Sequence, residues 1–261
     1  MRRIIAIGGG EIGRPGYPVE TTEIDQEIVR LTGKARPKVL LIPTASGDSE
    51  VYIEAFNNHF GQTLGCKTDT MCLITDKSLS AQAIQDKVLG SDAVYVGGGN
   101  TAKMLRLWRK LGVDQVLGQA LSQGVVLSGL SAGAICWFRY GRSDSRMSID
   151  PQAGLIRVSG LGFVHATACP HYDVEPDREQ HLRQLMHRTP GVAIALQNCC
   201  ALEIIDDTYR IITSKPDARA YRIFSSAGTS YREMIPCDAN YRPLMDLLSK
   251  SVHVDIPRLP D

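Results

Sequence analysis

The chain has 261 residues, 43% hydrophobic and 22% charged, a composition that can bury a sizeable globular core. Twenty-nine Lys and Arg stand against 28 Asp and Glu, so the net charge of +1 creates no field favouring nucleic acid or an anionic membrane surface. No apolar run reaches the roughly 20 residues of a spanning helix. The short apolar stretch after Arg2 and Arg3 is cut by glycines too soon for a signal peptide, and it reads as a first strand.

In chain order, β-rich apolar runs at 3–7, 38–43, 68–73, 93–96, 125–128 and 192–196 alternate with helical patterns. The helical patterns occupy 20–32, 51–60, 81–89, 102–111 and 113–123. Several of the strands are apolar at every position, as strands covered on both faces are. The alternation predicts a three-layer α/β fold built on a doubly wound, mostly parallel sheet. A helical stripe at 177–188 carries Leu182, Leu185 and Met186 inward and leaves His181 and His187 facing solvent. His165 falls in a loop-like stretch. After residue 200 the texture changes to short strands at 201–205, 209–213 and 219–225, expected to extend the sheet in antiparallel fashion. One short helix at 244–248 and a proline-rich tail follow. No linker or low-complexity segment divides the chain, so residues 1–261 are expected to form one domain.

The seven cysteines (66, 72, 136, 169, 199, 200 and 237) are odd in number, lack a C-x-x-C pair and sit mostly in apolar runs. They are expected to be reduced thiols in a cytoplasmic protein, with no metal site and no cofactor. The run Gly8–Gly13 matches G-x-G-x-x-G formally, but Pro15 and Pro18 prevent the helix that a dinucleotide site needs directly after it. It reads instead as a connection at the carboxyl edge of the sheet, where sites in such folds collect.

Two motifs carry chemistry. Gly129-Leu130-Ser131-Ala132-Gly133 is a G-x-S-x-G placed between an apolar strand and a predicted helix at 132–138. That context is the one in which a serine sits on a sharp, strained turn with its hydroxyl exposed, flanked by glycines because there is no room for side chains. The second is Val96-Gly97-Gly98-Gly99-Asn100, a strand end whose glycines let backbone N–H groups approach a ligand while Asn100 and Thr101 can cap the next helix. A serine needs a base, and the base needs an orienting group. Of six histidines, His171 in ACPHYD has the placement of a strand-end loop, which suits catalysis and a structural role equally well.

Taken together, the VGGGNT strand end, the G-x-SAGA elbow, the PHY segment and the Arg178-Glu179-Gln180 helix start resemble the peptidase E family (peptidase family S51). The similarity runs over about residues 4–225, leaving 226–261 as an extension. The resemblance implies a fold similar to the class I glutamine amidotransferases, related to the flavodoxin-like folds. It also implies a serine dipeptidase that cleaves after an N-terminal aspartyl or isoaspartyl residue, with cyanophycinases among the relatives. Motif by motif, Ser131 falls on the nucleophile, His171 on the base, and Ala132 with Gly98 on the oxyanion donors. Arg178, Gly99 and Asn100 fall on the substrate side, Arg178 as the guanidinium for an acidic group.

The third catalytic member is open: Asp144 matches an aspartate of the family, whereas the strand-end segment in which some relatives carry an acid holds Gln197 and Asn198 here. Without a carboxylate, a weak or inactive member that binds an acidic small molecule is the alternative, with a cyanophycinase-like β-aspartyl peptidase beside it; an amidotransferase-like glutaminase is disfavoured, because the nucleophile position holds serine and Cys136 lies further into the helix. The expected partner is a small peptide, and the expected assembly a monomer or homodimer.

Overall fold

The computed structural model describes residues 1–146, 154–174 and 178–251. The first half alternates as expected: β1 (Arg3–Ile7), α1 (Thr22–Leu31), β2 (Lys38–Ile42), α2 (Glu50–Phe56), β3 (Lys67–Thr70) and α3 (Ala81–Leu89). β4 (Ala93–Val96), α4 (Thr101–Leu111), α5 (Val113–Ser122) and β5 (Val126–Leu130) follow, and then the single turn α6 (Ala132–Ile135). The remaining elements are β6 (Phe138–Ser143), β7 (Ile156–Ser159), β8 (Val164–Cys169), α7 (Arg178–Arg188) and β9 (Ala193–Leu196). β10 (Cys200–Ile205), β11 (Thr208–Thr213), β12 (Ala220–Ser226), β13 (Thr229–Ile235), β14 (Arg242–Pro243) and α8 (Leu244–Leu248) complete the chain.

The strands form two sheets. The larger has the order β14-β11-β10-β1-β5-β4-β2-β3, with β1, β5, β4, β2 and β3 parallel and β10, β11 and β14 antiparallel. The smaller has the order β13-β12-β9-β8-β6-β7, in which β6, β8 and β9 run parallel. The α/β class with a parallel centre and antiparallel strands late in the chain is thus the observed one. The distribution of those strands differs from expectation: 192–196 and 219–225 do not extend the main sheet but pair with each other in the second one.

The pleat explains the layering. In β1, Ile4 and Ala6 face one apolar cluster, while Ile5 and Ile7 face another formed with Ile24, Ile28, Phe56 and Phe60 of the helical layer. The first cluster fills the space between the two sheets and takes in Trp108, Trp137, Phe138 and Ile194. A third, smaller cluster joins the outer face of the second sheet to Leu182 and Met186 of α7.

Three boundaries depart from the sequence reading. The helix after Ser131 lasts four residues, because Trp137 and Phe138 are drawn fully into the inter-sheet core and the chain continues as β6. The stretch holding His165 is β8 rather than a loop, with His165 on its exposed face. Residues 226–251 add β13 to one sheet and β14 to the other, so they are woven into the same layers as the core. The expected helix start at Asp177, the far tail and His253 lie outside the described residues.

Candidate active site

The carboxyl ends of β1, β4 and β5 lie side by side, with β5 between the other two. This is the edge at which α/β sheets hold ligands. Ser131 follows β5 directly and takes φ 56° and ψ −108°, a conformation that costs a non-glycine residue on the order of 1–3 kcal/mol. Both flanking glycines are required by space. A Cβ on Gly129 would stand 2.6 Å from the Gly133 carbonyl oxygen, and one on Gly133 would stand 2.1 Å from that of Val96.

Three segments converge on the strand end of β1 through consecutive carbonyls. Ile7 accepts the Ser131 N–H at 3.0 Å, Gly8 the His171 N–H at 2.9 Å, and Gly9 the Cys199 N–H at 2.9 Å. Ser131, His171 and Cys199 all have positive φ. The glycine run after β1 therefore acts as a spine that sets the spacing of the serine, the histidine and the segment bearing Asn198.

The side chains make a continuous chain of hydrogen bonds. The Ser131 hydroxyl lies 2.8 Å from His171 Nε2, and His171 Nδ1 lies 2.7 Å from Asn198 Oδ1. An amide oxygen can only accept, so Nδ1 carries the proton and Nε2 presents its lone pair to the serine. Asp173 Oδ1 in turn accepts the Asn198 backbone N–H at 2.9 Å. Burial holds the imidazole below its ordinary 6.5; the Asn198 hydrogen bond works in the opposite direction, and the Arg178 charge works with burial.

Gly9 has no side chain for a reason visible here. Its Cβ would fall 2.0 Å from Asn198 Oδ1 and 2.4 Å from His171 Nδ1. A Cβ on Gly98 would sit 3.5 Å from that of Ser131, which places the Gly97–Gly99 backbone against the serine. The Gly98 N–H is directed at the Tyr52 hydroxyl at 3.4 Å. Ala132 begins α6, and its N–H has no intrahelical acceptor.

The other sequence-selected residues are placed differently. Asp144 is exposed and makes no hydrogen bond to His171; its carboxylate acts on the ring only as a more distant charge. The side chain hydrogen-bonded to His171 Nδ1 is that of Asn198. Arg178 is buried and donates to the Pro170 carbonyl at 2.7 Å, so its guanidinium supports the loop behind His171 and is not part of the cavity wall. Asn100 accepts the Lys103 N–H at 3.0 Å and donates to the Ser145 carbonyl at 2.9 Å, spending its side chain on capping and loop attachment. Cys136 is buried against the Gly133 carbonyl, with burial pushing its thiol up, and does not line the cavity.

A cavity of about 450 Å³ opens beside Ser131 and His171. Its lining includes Gly98, Gly99, Tyr52 and Ser46, together with Glu11, Ile12 and Arg14 from the loop after β1. Sequence reasoning placed a site-forming connection there but singled out neither Arg14 nor Tyr52. An arginine in a loop and a tyrosine on a helix carry no spacing signal, and only the packing of these elements brings them to the serine. Among the described residues no three His, Cys, Asp or Glu side chains are grouped to hold a metal ion.

The molecule is thus an α/β protein with a strained strand-end serine hydrogen-bonded to a histidine in an open cleft. The chain belongs to peptidase family S51, whose model matches residues 4–212. It is 38% identical over 228 residues to the uncharacterized peptidase YgaJ of Bacillus subtilis (strain 168), covering 85% of this chain and 92% of that one. It is 27% identical over 201 residues to peptidase E of Nostoc sp. (strain PCC 7120), covering 73% and 78%. Among solved structures, a peptidase from an acI-B1 Actinobacterium superposes with a TM-score of 0.69 at 17% identity, covering 93% of this chain and 97% of that one, a likeness of fold.

Proposed function

We propose that this S51 peptidase is a serine hydrolase of the cytoplasm that cleaves small peptides bearing an N-terminal aspartyl or isoaspartyl residue. The hydrogen-bond chain Ser131–His171–Asn198 carries the reading. Ser131 Oγ attacks the scissile carbonyl carbon as its proton passes to His171 Nε2. The imidazolium then protonates the leaving amine, and water hydrolyses the acyl-enzyme by the same route in reverse. The Ala132 and Gly98 N–H groups hold the oxyanion, Gly98 exchanging its long contact with Tyr52 for the developing charge. Asn198 keeps the productive tautomer because its amide oxygen accepts from Nδ1–H, but it gives the imidazolium less electrostatic support than a carboxylate. The seven free thiols favour a reducing compartment.

A serine-directed phosphonate, with Ser131→Ala as control, tests the mechanism, and a panel of Asp-X and β-aspartyl dipeptides tests the substrate. Adduct on Ser131 together with turnover is expected; neither adduct nor turnover would overturn the proposal. The amide at 198 also favours a second reading, a slow enzyme that mainly retains an acidic ligand. That reading requires Asn198→Asp to raise turnover well above wild type, and no gain would remove it.

A further inference from the structure

Among the described residues, Arg14 is the only Arg or Lys in the wall of the cavity beside Ser131. It is not a loose surface side chain. Glu11 accepts Arg14 Nε at 2.8 Å and Nη2 at 2.7 Å, and its other oxygen also receives the backbone N–H groups of Ile12 and Arg14 at 2.9 and 3.0 Å. The Glu11 side chain is only 10% exposed, whereas that of Arg14 is 53% exposed. The carboxylate therefore grips one edge of the guanidinium from below and leaves the other edge open.

The loop itself is fixed. Ile12 bridges Val19, the Glu20 N–H donates to the Glu11 carbonyl at 2.7 Å, and the Tyr17 N–H closes a turn on the Arg14 carbonyl at 2.9 Å. Nη1 has no hydrogen-bond partner among the described residues. An arginine whose rotamer freedom is already lost, with free donors beside a nucleophile, is prepared to bind a planar anion at little further entropic cost.

We infer that Arg14, held by Glu11, is the residue that reads a substrate carboxylate in this pocket, a role the family resemblance assigns to Arg178. The inference rests on the proposed hydrolase reading and specifies its selectivity. The chemistry is a carboxylate, supplied either by the acidic side chain of the residue at the scissile bond or by the terminal carboxylate of a short peptide. Glu11 is the positioning residue. Its acceptors are already occupied by Arg14 and two backbone amides, so it serves the arginine and not the substrate amine.

The experiment measures kcat and KM of wild type, Arg14→Met, Arg178→Met and Glu11→Gln on matched dipeptides. Asp and Asn alternate at the first position, and free acid and amide at the C-terminus. Reaction of Ser131 with an uncharged fluorophosphonate is followed in parallel. Arg14→Met is expected to lose about 10- to 100-fold in kcat/KM on the carboxylate-bearing substrate and little on its uncharged partner, the size of one charge-assisted hydrogen-bond pair. Its fluorophosphonate labelling should be unchanged. Whichever substitution, side chain or terminus, abolishes the Arg14 effect identifies the carboxylate that is read. Glu11→Gln should raise KM with kcat nearly retained.

An Arg14→Met enzyme that keeps the wild-type preference for charged substrates would overturn the assignment, and so would transfer of that loss to Arg178→Met alone. A wild-type protein that neither labels nor turns over any substrate would instead overturn the hydrolase reading. A wild type that labels and turns over with no preference for charge would overturn the carboxylate role alone.

Discussion

At the scale of single residues, the proposed mechanism turns on an amide, Asn198, at the position where a Ser-His-Asp triad has an acid. Asn198 fixes the imidazole as a carboxylate would, yet leaves it held low by burial. Under the proposed mechanism the imidazole therefore stays neutral, and able to take the serine's proton, to somewhat lower pH than an ordinary histidine. The acid limb of the kcat/KM profile is expected below the ordinary 6.5, activity falling as pH drops through the lowered pKa. Asn198→Asp adds a negative charge at the same position, which raises the pKa and moves the limb upward. A profile whose limb stays in place or moves down would refute the argument. Asn198→Ala should lower kcat by about 10- to 100-fold, a part of the ~10²–10⁴ that positioned proton transfer supplies. Thermal unfolding should barely change, because the side chain is only half-buried.

Among elements, the end of β1 does more than complete a sheet. Its three successive carbonyls take the amides of the serine, histidine and Cys199 segments, so an error there displaces the whole constellation. Gly9→Ala puts a methyl group into the His171–Asn198 hydrogen bond. The expected result is a folded protein with near-complete loss of turnover and of phosphonate labelling at Ser131; normal labelling would show that the spine tolerates the group. Gly133→Ala is different in kind. Its methyl meets the Val96 carbonyl in a buried turn, and overpacking of that sort costs about 1–3 kcal/mol of stability, read by denaturant unfolding.

In the sequence, the strand, the elbow and both glycine runs were legible, because strand periodicity and positive-φ chemistry are local. The second sheet was not. Phe138–Ser143 shows no clean alternation and follows a helix start, and its strand character comes from burial of Trp137 and Phe138 between sheets. Asn198 could be named only as an alternative to Asp144, since nothing local in a Gln-Asn-Cys-Cys run says which residue reaches a histidine 27 positions earlier.

For the molecule as a whole, the late strands lock the two sheets together. Arg222 on β12 is buried against Glu233 on β13, with Nε to Oε2 at 2.6 Å, and its other nitrogens reach the carbonyls of Asp246 within α8 and of Ser249 and Ser251 after it. Removing one partner strands a buried charge, so Glu233→Ala should cost about 3–5 kcal/mol. That loss would appear in thermal or denaturant unfolding, while the folded fraction at low temperature keeps wild-type kcat. A loss of kcat without a loss of stability would instead tie this lock to the cavity.

The sequence by itself determined the class of fold, the strained serine and the backbone glycines around it, because each rests on interactions between near neighbours. Only the tertiary structure decided which side chain hydrogen-bonds His171 Nδ1, that Arg178 bonds the Pro170 carbonyl and that Arg14 lines the cavity. Those outcomes depend on how separate strand ends and loops pack at one edge of a sheet, a relation that no local pattern of residues encodes.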